Sequence, residues 1–221
     1  MSPRLFVAVA LLLGIAYVFV TPPFAVPDED NHFWRAVAVG RGRLLATRGL
    51  DSMPMPKTVE EFTWVIERTS PAETLSQKLK VAAALRHDGR MGHPIRFAAW
   101  YSPFPYVATG LVAALPLRPV IVFYGGRIAN LLLAVLLIAL AIRAAPEDGS
   151  IFAAAALLPM SLYELASLSA DAATIVLAWL FTALLLSSRR RPPLIALAGF
   201  ASGLCKPVYF LIVLLIFVTP L

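Results

Sequence analysis

A dense group of ionisable side chains follows the first long apolar run of the chain. Residues 27–32 read Pro-Asp-Glu-Asp-Asn-His, which places three carboxylates and one imidazole side by side. A helix that ends at the bilayer surface holds the residues after it close to the membrane plane. An acid cluster at that place can act on a substrate carried by a lipid. We therefore take it as the candidate centre of chemistry.

A divalent cation such as magnesium or manganese is one partner for this cluster. Asp28, Glu29 and His32 are ligand types that would accept one, although three local residues do not define the geometry that names a metal. Two simpler interpretations stay open. Adjacent acids after a membrane helix are commonly a solvated surface feature, and Asp28 could cap a helix that begins near Glu29.

Other charged residues lie at the ends of apolar runs further along the chain, at Arg127, Asp171 and Lys206. Charges next to hydrocarbon are functional candidates by default. The simpler interpretation for the two cations is anchoring, because a long basic side chain at a helix end can reach the headgroups. Glu164 is interpreted as a polar contact at headgroup level.

Composition places these residues in a membrane protein. Hydrophobic residues make up 59% of the chain and charged residues 14%, and the mean hydropathy is +0.78. Such a chain has too little polar surface to coat a water-soluble globule. The net charge of +6 does not indicate nucleic-acid binding, because the triplet Arg189–Arg191 flanks an apolar run, as positive-inside anchoring predicts. The single cysteine, Cys205, allows no intrachain disulfide.

The expected fold is all-α: a polytopic membrane protein with about six transmembrane helices and a large first outer loop. Apolar runs long enough to consider as spans are predicted at 5–21, 120–143, 150–163, 171–188, 193–205 and 207–221. A cleaved signal peptide is the competing interpretation of the first run. The last run stops without a polar flank, so we expect this chain to be the N-terminal piece of something longer.

Short juxtamembrane helices are expected within the outer loop, residues 22–119. The pairs Thr58 with Glu61 and Ser70 with Glu73 have the spacing of capping boxes. Behind the second pair, apolar residues recur from Leu75 at helical spacing, which predicts an amphipathic helix. The apolar segment 104–117 is about 21 Å long as a helix, too short to span, so we expect it in the membrane interface.

Charge asymmetry predicts the orientation. The triplet Arg189–Arg191 should be cytoplasmic, and the turn from Glu164 to Asp171 lacks lysine and arginine, so it should be outside. Counting back along the spans puts the N-terminus in the cytoplasm. The large first loop, Arg127, Asp171 and Lys206 then share the outer face.

Several short motifs in this order resemble the C-type (GT-C) integral-membrane glycosyltransferases that use polyprenyl-phosphate sugars, in particular an uncharacterised bacterial branch of predicted membrane proteins. The motifs are Pro23-Phe24-x-x-Pro27-Asp28-Glu29-x-Asn31-His32-Phe33, Tyr101-Ser102-Pro103-x-Pro105-Tyr106, Gly126-Arg127-x-x-Asn130, Leu158-Pro159-Met160, Ser167-x-Ser169-Ala170-Asp171 and Lys206-Pro207. The resemblance covers nearly the whole chain, although members usually have about twice as many membrane helices.

The resemblance implies transfer of a sugar from a polyprenyl-phosphate donor to a glycan, lipid or protein acceptor, at the outer face of a bacterial cytoplasmic membrane. In that family an acid just after the first helix serves as base or metal ligand, and that position maps to Asp28 or Glu29; we prefer Asp28 as the base, with Glu29 supporting it. Asp171 would orient the acceptor or a metal. Phosphate and substrate contacts would come from five residues: Arg127, Lys206, His32, His93 and Tyr101.

Two other classes of function compete with this reading. A membrane transporter needs charged or broken-helix positions near the bilayer midplane, whereas the charges here gather at helix ends on one predicted face. A noncatalytic fragment or assembly subunit is the second alternative, because the last apolar run ends without a flank.

Overall fold

The computed structural model describes residues 1–45, 53–68, 74–86, 89–94 and 97–217. These residues form helices and connecting turns, and the described part contains no β-strand beyond one isolated bridge between Pro56 and Met91. The expectation of an all-α chain is confirmed there. The chain divides into two compact units, residues 1–17 with 130–221 and residues 18–129.

Among the described residues, two helices are long and apolar enough to cross a membrane. They are α1, Pro3–Val20, and α6, Pro119–Ala144. Both match the expected spans at 5–21 and 120–143 to within two residues. The boundary between the two units falls inside each of these helices.

Unit 18–129 holds the loop that the sequence places after the first span. Its helices are α2 (Glu29–Gly40), α3 (Lys57–Arg68), α4 (Leu75–Ala84) and α5 (Val107–Ala113), with 3₁₀ turns at Phe97–Trp100 and Phe104–Tyr106. Four phenylalanines form its centre, with ring centroids 5.0 to 6.1 Å apart: Phe24, Phe33, Phe62 and Phe123. Short helices in this loop were expected, and the structure confirms them.

Helix starts in this loop differ in detail from the predicted caps. Helix α3 begins at Lys57, so Thr58 is a buried first-turn residue. Helix α4 begins at Leu75 with a capping box formed by Thr74 and Gln77. The predicted pair Ser70 and Glu73 lies outside the described residues.

Among the described residues of unit 1–17 with 130–221, none of the remaining predicted spans forms by itself a helix as long as α1, although the run 171–188 corresponds to the 17-residue helix α9 (Ala170–Leu186). The run 150–163 breaks into α7 (Gly149–Ala156) and α8 (Pro159–Leu165), because Leu158 is extended, as the residue before a proline prefers. Helix α9 (Ala170–Leu186) meets α8 at a bend of 116°. Counting that bent pair as one span, the described residues hold at most three candidate spans.

Two short apolar segments follow α9. Helix α10, Pro192–Cys205, has 14 residues, and the 3₁₀ segment Pro207–Phe217 has 11. Helix α10 is shorter than the roughly 20 residues that a straight span needs. The expectation of six spanning helices is therefore not supported. Phe181, Leu185, Ile195 and Ala198 form the packing core between α9 and α10.

Candidate functional site

The turn that carries the acid cluster has an unusual backbone. Phe24 and Asp28 both adopt left-handed conformations, with φ of 62° and 56°. This conformation costs an L-residue free energy, because its Cβ comes too close to the backbone. A bulky residue such as phenylalanine is a genuine outlier there. Such strain persists only where surrounding contacts over-determine it. Phe24 is held by the rings of Phe33, Phe62 and Phe123.

A buried ion pair fixes the same turn. Glu29 and Arg127 are both fully buried and pair through two contacts, Nε to Oε1 at 2.8 Å and Nη2 to Oε2 at 2.6 Å. The Glu29 carboxylate also accepts the backbone N–H of Phe24 at 3.0 Å. This fork-to-fork geometry is the strongest form of charge-assisted hydrogen bonding. We call this pair the buried clasp.

Arg127 also binds the end of α1. Its terminal nitrogens donate to the carbonyl oxygens of Val18, Thr21 and Pro22 at 2.7 to 3.1 Å. Helix ends leave such carbonyls without intrahelical partners. With the two bonds to Glu29, all five donors of the guanidinium are engaged. The guanidinium also lies over the Phe123 ring, 4.6 Å from its centroid.

Asp28 contrasts with its buried neighbour. Helix α2 begins at Glu29, so Asp28 occupies the cap position, but its side chain makes no capping hydrogen bond. The residue is exposed. The alternative interpretation of Asp28 as a helix cap holds for its position, since α2 begins at Glu29, but the capping hydrogen bond is absent because the left-handed backbone replaces the extended conformation that a capping aspartate uses. The turn therefore presents an exposed carboxylate on a fixed backbone.

His32 lies one helical turn after Asp28 and is buried. It shares a hydrogen bond of 2.6 Å between Nδ1 and the Tyr106 hydroxyl, and its ring centroid is 5.4 Å from that of Tyr101. The motif that contains Tyr101 and Tyr106 is thus brought against the acid-bearing helix. Tyr101 itself is 40% exposed, so part of its ring remains open beside His32.

Arg35 is a structural residue that the sequence reading missed. It is buried on α2 and donates to the carbonyl oxygens of Tyr101, Arg43 and Leu44 at 2.8 to 3.0 Å and to the sulfur of Met53. Burial lowers the pKa of Arg35, and Tyr106 opposes that shift. The sequence offered one signal: Arg35 follows His32 by three residues, and residues three apart lie on the same face of a helix.

Asp171 and Lys206 form an ion pair in the other unit. Asp171 lies in the first turn of α9, where its backbone N–H donates to the Ser169 hydroxyl, and Lys206 caps the C-terminal end of α10. Their side chains are 41% and 38% exposed. The structure thus brings together two residues that the sequence nominated separately, and leaves both side chains partly exposed.

Asn130 orders the turn before α9. Its amide nitrogen donates to the carbonyl oxygens of Ser167 and Ser169 at 2.9 and 3.3 Å. These bonds set the direction of the side-chain amide and link α6 to the entry of α9. The motifs containing Asn130 and Ser167-x-Ser169 therefore meet within one unit.

His93 contacts helix α3. Its side chain is 90% exposed and pairs with Glu60 on α3, Nδ1 to Oε1 at 2.6 Å. Its backbone N–H donates to the same carboxylate. These bonds tie the segment 89–94 to α3, and the predicted substrate contact by His93 stays a prediction.

Two of the three predicted metal ligands are engaged by other side chains. Glu29 is neutralised by Arg127, and the Nδ1 of His32 is bonded to Tyr106. Within the ranges that the structure describes, no three His, Cys, Asp or Glu side chains are grouped to hold a metal ion. The divalent cation therefore stays a prediction, and no step below uses one.

Two long apolar helices and a strained acid-bearing turn after the first of them define a helical membrane protein. A family model described as "Predicted membrane protein (DUF2142)" matches residues 11–221, and the chain belongs to that family. No curated protein and no solved structure matches the chain.

Proposed function

We propose that this protein is a membrane glycosyltransferase that moves a sugar from a polyprenyl-phosphate donor to a hydroxyl acceptor, with Asp28 as general base. The observation that carries the proposal is the Asp28 turn: an exposed carboxylate held in a strained conformation by a buried network. Strained backbone that is locked by its surroundings concentrates at functional sites. A solvated surface acid needs neither the strain nor the clasp.

The reaction requires one proton transfer and one displacement. The Asp28 carboxylate takes the proton of the acceptor hydroxyl as the acceptor oxygen forms a bond to the anomeric carbon of the sugar. The bond between that carbon and the phosphate oxygen breaks, and its electron pair leaves with the polyprenyl phosphate. A lipid phosphate is a good leaving group, so no acid is needed at the departing oxygen.

Nearby residues support this assignment through position. Tyr101 offers a partly open aromatic ring beside His32, and aromatic rings pack well against the apolar faces of sugars. Glu29 supports Asp28 through the backbone, because its carboxylate is fully engaged in the buried clasp. Arg127 takes the same structural role here, and its nomination as a phosphate ligand stays a sequence-based prediction. The assignments of Lys206 to the phosphate and of Asp171 to the acceptor also stay sequence-based predictions.

The setting follows from the sequence reading. We place the protein in a bacterial cytoplasmic membrane with the N-terminus inside and the loop that carries Asp28 outside. A polyprenyl-linked donor is confined to the bilayer, so a base directly after a spanning helix lies at the depth where its phosphate resides.

The test is sugar transfer by the purified protein reconstituted in vesicles with radiolabelled polyprenyl-phosphate sugars. Asp28→Asn keeps side-chain size and tolerates a left-handed backbone, so the fold should persist while transfer falls by about 10²- to 10⁴-fold, the usual contribution of a general base. Asp30→Asn is the matched control, because Asp30 is a neighbouring acid on the first turn of α2. Wild-type turnover by Asp28→Asn would defeat the assignment.

A further inference from the structure

The segment that follows the Tyr101 motif carries no charge over fifteen residues, 103–117. It contains the 3₁₀ turn Phe104–Tyr106 and helix α5, Val107–Ala113. Its two polar side chains, Tyr106 and Thr109, are buried and hydrogen-bonded inside the unit. The surface that this segment presents outward is therefore entirely apolar.

One stripe of the segment is strongly exposed. Val107, Leu111 and Leu115 are spaced four residues apart and are 51%, 69% and 55% exposed. Val107 and Leu111 are one turn apart and lie on one face of α5, and Leu115 follows in the bend just after the helix ends at Ala113. We call these three residues the outer stripe. Contiguous apolar surface of this kind marks contact with a partner or a membrane.

The opposite side of α5 is fastened to the acid-bearing helix. A Cβ added at Gly40 of α2 would lie 2.5 Å from the carbonyl oxygen of Gly110 on α5, so the two backbones are in direct contact. The bond between His32 and Tyr106 joins the same two elements. Because α5 and α2 are in direct contact, the depth of α5 in a bilayer would determine the depth of α2.

The residues on either side of this segment indicate what covers the outer stripe. Helix α6, one of the two long apolar helices among the described residues, begins at Pro119 directly after the segment, and its Ile121 is 48% exposed. Trp100, 70% exposed, precedes the segment and Arg118, also exposed, follows it. Tryptophan and arginine are the residues that settle at headgroup level.

We infer that the outer stripe is buried in one leaflet of the bilayer, with α5 lying in the interface as a monotopic element that holds helix α2 at the membrane surface. The segment is too short to cross the hydrocarbon core. An interfacial helix sinks its apolar face about 5–10 Å into the boundary between headgroups and acyl chains. This inference is independent of the proposed sugar transfer, since it concerns depth rather than chemistry.

The experiment measures the depth of a spin label by power saturation with oxygen and a nickel chelate. The full chain with Cys205→Ala carries one new cysteine, Leu111→Cys, in vesicles of phosphatidylcholine and phosphatidylglycerol. Two references bracket it: Arg90→Cys, at a side chain 61% exposed in the loop, and Leu132→Cys, 52% exposed on α6. Val107→Cys repeats the measurement on the same stripe.

We expect labels at positions 111 and 107 to report a depth of about 5–10 Å, between the two references. A label at 111 as accessible to nickel as the one at 90 would place the stripe in water and overturn the inference. A label as deep as the one at 132 would make the segment a spanning one and overturn it too. Spin–spin broadening that disappears on dilution with unlabelled protein would show a second copy on the stripe, with the same consequence.

Discussion

Two ion pairs in this protein have the same chemistry and opposite surroundings. Glu29 and Arg127 are fully buried, pair through both carboxylate oxygens and leave no guanidinium donor unused. Asp171 and Lys206 meet through one contact, and each side chain is about two-fifths exposed. The first pair is fixed and serves the backbone around it. The second can exchange its partner for solvent or a ligand without leaving a buried charge.

The two pairs differ in what they can do: the buried pair fixes the backbone around it, whereas the exposed pair leaves its side chains accessible. A buried charge without its partner is costly, so the clasp holds the turn that bears Asp28 in place. An exposed pair contributes little to stability, so its residues are free of that constraint. Charge type alone, which is what a sequence displays, does not distinguish these two situations.

The largest expected effect comes from breaking the clasp. Arg127→Ala leaves the Glu29 carboxylate buried without a counter-ion and removes donors from three carbonyl oxygens near the end of α1. We expect a loss of about 3–5 kcal/mol in the free energy of unfolding, measured by thermal or denaturant unfolding of the protein in detergent.

The double variant Arg127→Met with Glu29→Gln controls for this effect, because it removes both charges together. It should lose less stability than Arg127→Ala, since no unpaired charge stays buried. Equal losses in the two variants would show that the carbonyl contacts, rather than the ion pair, carry the stability of the turn.

An intermediate effect is expected at the turn that the clasp holds. Asp28 has a φ of 56°, and a Cβ in that conformation costs free energy that glycine does not pay. Asp28→Gly should therefore be more stable than Asp28→Ala by about 0.5–1 kcal/mol, as measured by the same unfolding assay. At an ordinary helical or extended position, alanine would be the more stable of the two, and that order would contradict the left-handed conformation.

Long apolar runs made α1 and α6 predictable to within two residues, because hydrocarbon thickness and helical rise fix their length. The run 150–163 was not predictable in the same way. Pro159 interrupts the run 150–163, and a proline changes the backbone before it as well as its own. Composition predicts that this run is apolar, but it does not predict that the helix ends at Ala156 and restarts at Pro159.

The site shows a similar limit. The sequence nominated Glu29 and Arg127 for separate chemical roles, but the two are 98 residues apart and their pairing follows from the packing of the loop against α6. Arg35 looked like one of many loop cations, yet it organises three carbonyl groups. Local patterns identify which side chains can react. Long-range contacts decide which of them are already engaged.

The smallest expected effect comes from the exposed pair. Asp171→Asn removes the charge that faces Lys206 and leaves the bond from the Asp171 backbone N–H to the Ser169 hydroxyl in place. Solvent screens both partners, so we expect a change below about 1 kcal/mol in the free energy of unfolding. Raising the salt concentration should shrink the difference between the variant and the wild type. A loss near that of Arg127→Ala, insensitive to salt, would mean that the pair is structural and that the contrast between the two regions does not hold.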